Sequence, residues 1–446
     1  MGVWFPLLTA LSRVVLHPHV DVRTTALQQL FQVLRSYGER FTVELWELVF
    51  RGVLLPIFDN VRYAGDQHVL KEDNEWLVST CLDALSKLIE LFGHYFDVLA
   101  FLLSEHLALL ASCILQDSES LANIGCDCLL RLVLENDERW TAPMWDQILQ
   151  AYEHLLKCNS PPSALTAAAA PDSHPVLASI FEPRPSDAAA AAESNGSLLS
   201  QDACPKASAS GATEATPPAD PVDAVASPSL QTKLNRSTSS TAKSTPPSNA
   251  ILEGKCHVQL ALVRSLDKIL DGRAYGRLQR PHLYKLLDIL ERTYTEVHAT
   301  NRDGELWSRP MHQPIREQFI KQEVLTLRSF VALLLRMYAD PQLEEEQRVE
   351  ERLIMLYAEV CSCFVVDGAD DALPPHQRQL HSTQTTNINQ LLNGVLAFRP
   401  EQFSKHLSVL YPLLVQLVMA ESREIRTTLV KVMNRVGVDF LSLDLS

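Results

Sequence analysis

The segment from Asp21 to Phe41 reads DVRTTALQQLFQVLRSYGERF, and its apolar residues recur at the spacing of a helix. Leu27, Leu30 and Leu34 fall on one side, with glutamine and arginine residues on the other. This spacing predicts a helix of about five turns with one buried stripe. Gly38 is predicted to end the helix, because glycine adopts a positive φ without steric cost.

The same stripe returns further along the chain. It recurs within residues 77–92, 121–133 and 425–436, and the opening DVRTT at 21–25 reappears as EIRTT at 424–428. Helices of a second kind alternate with these repeats, as in Trp4–Leu16 and Val43–Asp59. One helical pair cannot cover its own apolar stripe, so neighbouring pairs must stack. The sequence therefore predicts an all-α, HEAT- or armadillo-like superhelix.

The composition changes sharply after residue 158. Residues 159–250 consist largely of Ala, Ser, Pro and Thr, a composition that cannot bury enough apolar surface to offset the entropy of ordering. We therefore predict two helical repeat regions, residues 1–158 and residues 251–441, separated by a disordered linker at 159–250.

Charge and cysteine usage limit the function classes. The net charge is −15 and the pI about 5.4, which disfavours binding to nucleic acid and direct binding to anionic lipid. The nine cysteines are an odd number and most lie within leucine-rich stretches, as expected of reduced thiols in the cytosol. No signal peptide and no membrane span is predicted, so the expected location is cytoplasmic.

The search for chemistry predicts no catalytic, cofactor-binding or metal-binding residue. His17 and His19 lack further ligands at metal spacing. The Cys-x-Cys pairs at 126–128 and 361–363 lie in apolar runs typical of buried thiols. Trp46 and Trp145 occupy matching repeat positions, which favours packing over ligand stacking. The charged stretch at 344–352 is interpreted as a solvated helix face.

Two features suggest contacts outside the fold. Trp307 lies in the predicted loop 299–310, where an aromatic side chain either contacts a partner or folds back onto the repeat edge. In the predicted linker, phosphorylation is a hypothesis at one serine in a basic, serine-rich string and at three residues followed by proline. These residues are Ser239, Thr216, Ser227 and Thr245.

The DVR motif has a predicted structural role. Asp21 is expected to cap the free amides at the start of its helix, where the helix dipole also favours a negative charge. Arg23 is expected to reach an acidic group of a neighbouring repeat.

Several strings resemble one known family. WFPLLTALS at 4–12, the 21–41 segment and LWELVFRGVLLPIFDNVR at 45–62 resemble the region downstream of the catalytic domain in BIG-type, brefeldin A-inhibited exchange factors for ARF GTPases. CHVQLAL at 256–262 and the segment at 410–435 resemble the C-terminal tail of the same family. The glutamate finger of the family's exchange domain has no counterpart here.

The resemblance implies a regulatory and targeting region, peripheral at the Golgi and trans-Golgi network, that is not itself an enzyme. Its implied partners are small GTPases of the ARF or Rab type and other regions of a parent exchange factor, with membrane association through these partners. The chain would then be part of a longer exchange factor or a stand-alone Golgi scaffold without exchange activity. An adaptor of the HEAT class that is unrelated to ARF is the remaining alternative.

Overall fold

The computed structural model describes residues 3–59, 71–161, 249–308, 313–343, 347–369 and 372–441. Every regular element in these ranges is helical. The helices are α1 (Trp4–Val14), α2 (Val20–Tyr37), α3 (Val43–Val49), α4 (Lys71–His94), α5 (Phe96–Leu99), α6 (Leu103–Ile114), α7 (Glu119–Glu135), α8 (Ala142–Cys158), α9 (Asn249–Asp271), α10 (Arg280–Arg302), α11 (Gly304–Ser308), α12 (Gln313–Ala339), α13 (Gln347–Ala369), α14 (Pro375–Ala397), α15 (Pro400–Gln416) and α16 (Arg423–Leu441).

The helices stack in two layers. In the first layer each helix packs on the next in the order α2, α4, α7, α9, α12, α14 and α16. In the second layer α6 packs on α8, α8 on α10, and α13 on α15. The layers are joined by pairs such as α6 with α7 and α10 with α12. This alternation confirms the predicted all-α superhelix, since each helical pair buries its stripe against the next pair.

The apolar stripe that predicts the fold is buried along its centre. Leu27, Leu30 and Leu34 are at most 1% exposed. The edges of the stripe differ from the prediction, because Tyr37 and Val430 are 41% and 58% exposed. Tyr37 lies on α2 and Val430 on α16. Each of these two helices has a first-layer neighbour on one side only among the described helices.

Two glycines have a packing role that the sequence analysis did not anticipate. Gly38 has a φ of −60°, so the predicted positive φ is wrong. A Cβ at Gly38 would lie 2.5 Å from the ring of Trp46, so glycine is needed for this close approach. Gly125 is a glycine within the apolar stripe of residues 121–133. A Cβ at Gly125 would lie 2.6 Å from Ile114 at the end of α6.

The DVR motif joins a turn to the neighbouring repeat. Helix α2 begins at Val20 with His19 at the cap position, so Asp21 lies inside the first turn and is not the capping residue that we predicted. The buried guanidinium of Arg23 donates to the carbonyls of His17 and Pro18, at 3.1 and 2.8 Å, and to the hydroxyl of Thr80 on α4, at 3.2 Å. Arg23 therefore reaches the neighbouring repeat, where it bonds to a hydroxyl and not to the acidic group that we predicted.

Arginines near the ends of first-layer helices make a recurring contact. Arg139 donates to the carbonyl of Gly93 at 2.7 Å, and Arg435 to that of Phe398 at 2.7 Å. Arg336 donates to the carbonyl of Leu270. Each guanidinium thus bonds to carbonyls at or just beyond the C-terminal end of the preceding first-layer helix, where the helix dipole favours a positive charge.

The helices on the two sides of residues 159–250 belong to one compact unit. Helix α8 packs on α9 and on α10, and α7 packs on α9. Residues 162–248 lie outside the described residues, so the predicted disorder of the linker stays a prediction. The two predicted repeat regions are therefore in direct contact.

One segment of the core resembles a membrane span by composition. Residues 96–114 have a mean hydropathy of 1.7, but 61% of the most apolar window is buried inside the protein. The segment is divided into α5, a 3-10 turn and α6. Its hydropathy is that of a core helix.

Candidate interaction surface

The described residues offer little enclosed space. One cavity of about 10 Å³ lies between α8 and α10. A wide, open groove of about 380 Å³ lies between α14 and α16. The groove is lined by Asn389, Asn393, Arg423, Glu424, Thr427 and Thr428. The cavity is too small for a ligand, and the groove is too open to enclose one as a small-molecule site does.

Two surfaces expose apolar side chains in an ordered way. On α1 and just before it, Val3, Leu7 and Val14 are 76%, 45% and 41% exposed, and their spacing places them on one face. At the other end of the stack, the end of α15 and the following turn expose Val415 and Met419, the latter by 85%. Regular exposed apolar faces of this kind are typical of contact surfaces on helical repeats.

The histidines and cysteines that were considered for metal binding or catalysis have the following surroundings. The rings of His17 and His19 stack at 5.4 Å, and no group of three or more metal-ligating side chains occurs in the described parts of the chain. Cys126 and Cys128 are buried free thiols, and burial raises the pKa of each to about 12. Such thiols are poor nucleophiles.

The two tryptophans at matching repeat positions and the charged stretch near residue 350 also have packing roles. Trp46 and Trp145 are each 1% exposed. Arg352 contacts Asp288 at 2.7 Å, and Glu350 contacts Lys405 at 2.5 Å. The charged stretch is therefore less solvated than predicted, because part of it bridges α13 to α10 and α15.

Trp307 folds back onto the repeat edge. The predicted loop 299–310 is largely helical, with α10 extending to Arg302 and α11 covering Gly304–Ser308. The indole is 7% exposed, stacks on His376 at 3.9 Å and donates to the carbonyl of Thr300 at 3.1 Å. It packs in a core cluster with Phe319. The side chain therefore presents little surface to a partner.

The phosphorylation candidates Ser239, Thr216, Ser227 and Thr245 all lie outside the described residues. They remain predictions.

The densest polar cluster is buried at the joint of α10, α12 and α14, and the sequence analysis missed it. The carboxylate of Glu323 is 0% exposed. It contacts His298 Nδ1 at 2.8 Å and accepts from the side-chain amides of Asn301 at 2.7 Å and Gln384 at 2.8 Å. The signal in the sequence was one polar residue, Glu323, inside an apolar stripe of α12. Its partners could not be inferred from that signal, because they lie on helices far apart in the chain.

The electrostatics of this cluster favour a closed structural network. Burial lowers the pKa of His298, but contacts with Cys363 and Glu323 outweigh burial and raise it to about 9. Beside it, Arg302 contacts Asp367 through two bonds, at 2.9 and 3.4 Å. Each of these carboxylates is matched by a basic partner, so neither is an unpaired base. The cluster holds α10, α12, α13 and α14 together.

Comparisons with known proteins define the relationship of this chain. A family model described as "GBF1-like, tetratrico peptide repeat region" matches residues 4–173, and one described as "BIG2 C-terminal domain" matches residues 257–434. The human brefeldin A-inhibited guanine nucleotide-exchange protein 1 is 28% identical over 478 aligned positions, which cover 98% of this chain. The chain is a homologue of the brefeldin A-inhibited guanine nucleotide-exchange proteins.

Fungal members of the same group match as well. The ADP-ribosylation factor guanine nucleotide-exchange factor sec72 of Schizosaccharomyces pombe is 24% identical over 99% of this chain. SEC7 of Saccharomyces cerevisiae is 34% identical over 157 residues, or 34% of this chain. The resemblance that we drew from short motifs is therefore confirmed.

This homologue of the exchange proteins corresponds to only part of its relatives. It spans about a quarter of their length, since the human relative is covered over 24% and the fission-yeast relative over 23%. The matching family models are a C-terminal domain and a helical repeat region. The repeat-region match extends into the predicted linker, which begins at residue 159, and the C-terminal match begins beyond its end.

Proposed function

We propose that this chain is a regulatory and targeting region of an ARF guanine nucleotide-exchange factor in Golgi vesicle transport. It acts through protein–protein contacts and performs no exchange itself. The observation that carries the proposal is the match of 98% of the chain to exchange proteins through a helical repeat region and a C-terminal domain. A stacked helical fold with exposed apolar faces supports binding.

The proposed partners are small GTPases of the ARF or Rab type and other regions of a parent exchange factor. The yeast relatives are named as exchange factors for ADP-ribosylation factors, which supports ARF proteins as the first candidates. We place the chain in the cytoplasm, at the surface of the Golgi and trans-Golgi network. Its net charge of −15 supports recruitment by a protein, because an anionic membrane repels an acidic chain.

A binding experiment tests the proposal. The full chain is immobilised and exposed to purified ARF, ARF-like and Rab proteins, each loaded with GDP or with a non-hydrolysable GTP analogue. We expect saturable binding of at least one of them that depends on the nucleotide. To test whether the apolar face of α1 is the binding surface, the variant Leu7→Glu/Val14→Glu is examined in the same way. The control variant, Gln28→Glu/Gln32→Glu, changes the exposed polar face of α2. An absence of binding to every GTPase tested, in both nucleotide states, would contradict the proposal.

A stand-alone Golgi scaffold is a second candidate function, because the matches cover repeat regions and only a quarter of each full-length relative. The nucleotide sequence upstream of the Met1 codon distinguishes the two. An exchange domain encoded in frame supports the regulatory region, and a stop codon supports the scaffold.

A further inference from the structure

The joint between α7–α8 and α9–α10 differs from the other joints of the stack. We call this joint the seam. In the sequence, residues 162–248 separate the two sides of the seam, so the seam unites helices that are distant in the chain.

The centre of the seam is buried. Tyr152 is 0% exposed, and its hydroxyl hydrogen-bonds to that of Ser265 on α9. Leu156 and Ile289 line the same small cavity of about 10 Å³ from opposite sides. The seam is therefore well packed, with apolar contact and one buried polar bond at its centre.

The rim of the seam carries opposite charges on its two sides. In the arginine pairs the carboxylates come from the first side, α7–α8 and the turn that joins these helices, and the guanidinium groups come from the second, α9–α10 and the turn between them. Asp137 and Glu138 pair with Arg277 at 3.1 and 2.8 Å, and Glu153 pairs with Arg292 at 2.6 Å. Glu119 contacts His257 at 2.7 Å and Asp146 contacts His282 at 3.6 Å, which are ion pairs only when the histidine is protonated. Lys157 of α8 and Glu296 of α10 line the joint with the opposite arrangement of charge.

The joint between α10 and α13 mixes the signs. There Arg352 of α13 pairs with Asp288 of α10 at 2.7 Å, and Arg302 of α10 pairs with Asp367 of α13 at 2.9 Å. Segregation of charge on the seam is the arrangement found between proteins that must find each other, where complementary patches steer association and reject wrong partners.

Exposed ion pairs contribute little stability individually. Their value in the seam is in selecting the partner, while the packed centre supplies the affinity. The long separation in sequence gives a reason for such selection, because closing a loop costs entropy that rises with its length.

We propose that the seam is a docking interface in its own right, which holds the two helical halves together without a covalent connection between them. The occupant of the first half's acidic rim is the basic rim of the second half of the same chain. The inserted residues 162–248 are then dispensable as a connection, and the chain tolerates cleavage there without separating.

The test uses the full chain with a protease recognition sequence inserted between residues 200 and 201. Complete cleavage is verified on a denaturing gel, and the cleaved protein is then run on a size-exclusion column in about 0.1 M salt, where the Debye length is about 10 Å. We expect the two halves to elute together at the position of the uncleaved chain. Separation of the halves under these conditions would overturn the proposal.

Charge reversal makes the test specific to the rim. Arg277→Glu/Arg292→Glu should cause loss of co-elution after cleavage, and adding Glu138→Arg/Glu153→Arg should restore it. A matched reversal away from the seam, Arg423→Glu/Lys431→Glu on α16, should leave co-elution unchanged. Circular dichroism before cleavage checks that each variant is folded.

Two outcomes would contradict the assignment. If the reversed and restored variants co-elute equally well, the rim does not select the partner. If the uncleaved chain elutes at twice its mass and the mass halves on charge reversal, the occupant is the second half of another copy.

Discussion

The hydroxyls of Tyr152 and Ser265 hydrogen-bond inside the core although 113 positions separate them in the chain. Tyr152 lies on α8 and Ser265 on α9, the helices that flank residues 159–250. The bond shows that the repeat stack continues across the predicted linker.

Removing this hydroxyl tests the joint. Tyr152→Phe should lower the free energy of unfolding by about 1–2 kcal/mol, because Ser265 is left buried without its partner. Urea denaturation followed by circular dichroism measures the change. Tyr411→Phe, at a side chain 45% exposed, is the matched control and should change stability by less than about 0.5 kcal/mol. Equal effects of the two substitutions would show that the bond contributes nothing specific.

The close approach of α6 and α7 depends on Gly125. Gly125→Ala should destabilise the protein by about 1–3 kcal/mol, because the new methyl group meets Ile114 at 2.6 Å from its side chain and 3.2 Å from its backbone. Gly254→Ala on α9 is the control, since its Cβ would have no neighbour within 4 Å. Alanine favours helix over glycine, so Gly254→Ala should stabilise by up to about 1 kcal/mol. Thermal unfolding should shift in opposite directions for the two variants, and a shift of the same sign would contradict this account of Gly125.

The buried cluster around Glu323 should be sensitive to loss of its carboxylate. Glu323→Ala leaves the buried groups of His298, Asn301 and Gln384 without their acceptor, and should cost about 3–5 kcal/mol. Glu323→Gln should cost less, because its amide oxygen still accepts from one of the two amides. Denaturant titration measures both, with Glu90→Ala at an exposed position of α4 as the control. A loss no larger than that of Glu90→Ala would remove the structural role that we assign to the cluster.

His106 should make the protein sensitive to mild acid. Its ring lies between Phe50 and Phe92, at 4.5 and 4.6 Å, and burial lowers its pKa to about 4. The unfolded chain takes up this proton near pH 6.5, and the folded chain only near pH 4. The stability contributed by the neutral ring is therefore present above about pH 6.5 and is lost as the pH falls to about 4, by up to about 3 kcal/mol.

The substitution His106→Phe keeps the aromatic packing and removes the titration. Its free energy of unfolding should therefore fall less steeply between pH 6.5 and pH 4 than that of the unaltered protein. Gln32→Ala, at an exposed position of α2 that does not titrate, serves as the control and should leave the slope unchanged. Identical slopes for His106→Phe and the unaltered protein would contradict the assignment.

Much of the fold could be predicted from periodicity. The stripes of Leu30 and Leu132 are buried because a recurring apolar face has only its neighbours to cover it. Periodicity could not show that α8 and α9 are neighbours, since no local pattern records which helices meet across residues 159–250. The burial of Trp307 could not be predicted from its own segment either, because the ring on which it stacks, His376, belongs to a distant helix.

The candidate site was less predictable than the fold. The partners of Glu323 could not be predicted from the sequence, because they come from two other helices, α10 and α14, that are distant from each other in the chain. The family resemblance came from short strings such as those at 4–12 and 45–62, which lie within residues 4–173 of the helical repeat match. Which surface binds a GTPase depends on contacts that the sequence alone does not specify.

The central claim is that this chain binds and regulates, and does not itself exchange nucleotide. It is tested most directly by the rate of nucleotide release from a purified ARF protein carrying a fluorescent GDP analogue, with and without the full chain, at chain concentrations that saturate ARF binding. We predict a release rate equal to the intrinsic rate. A rate that rises in proportion to the concentration of the chain would contradict the account.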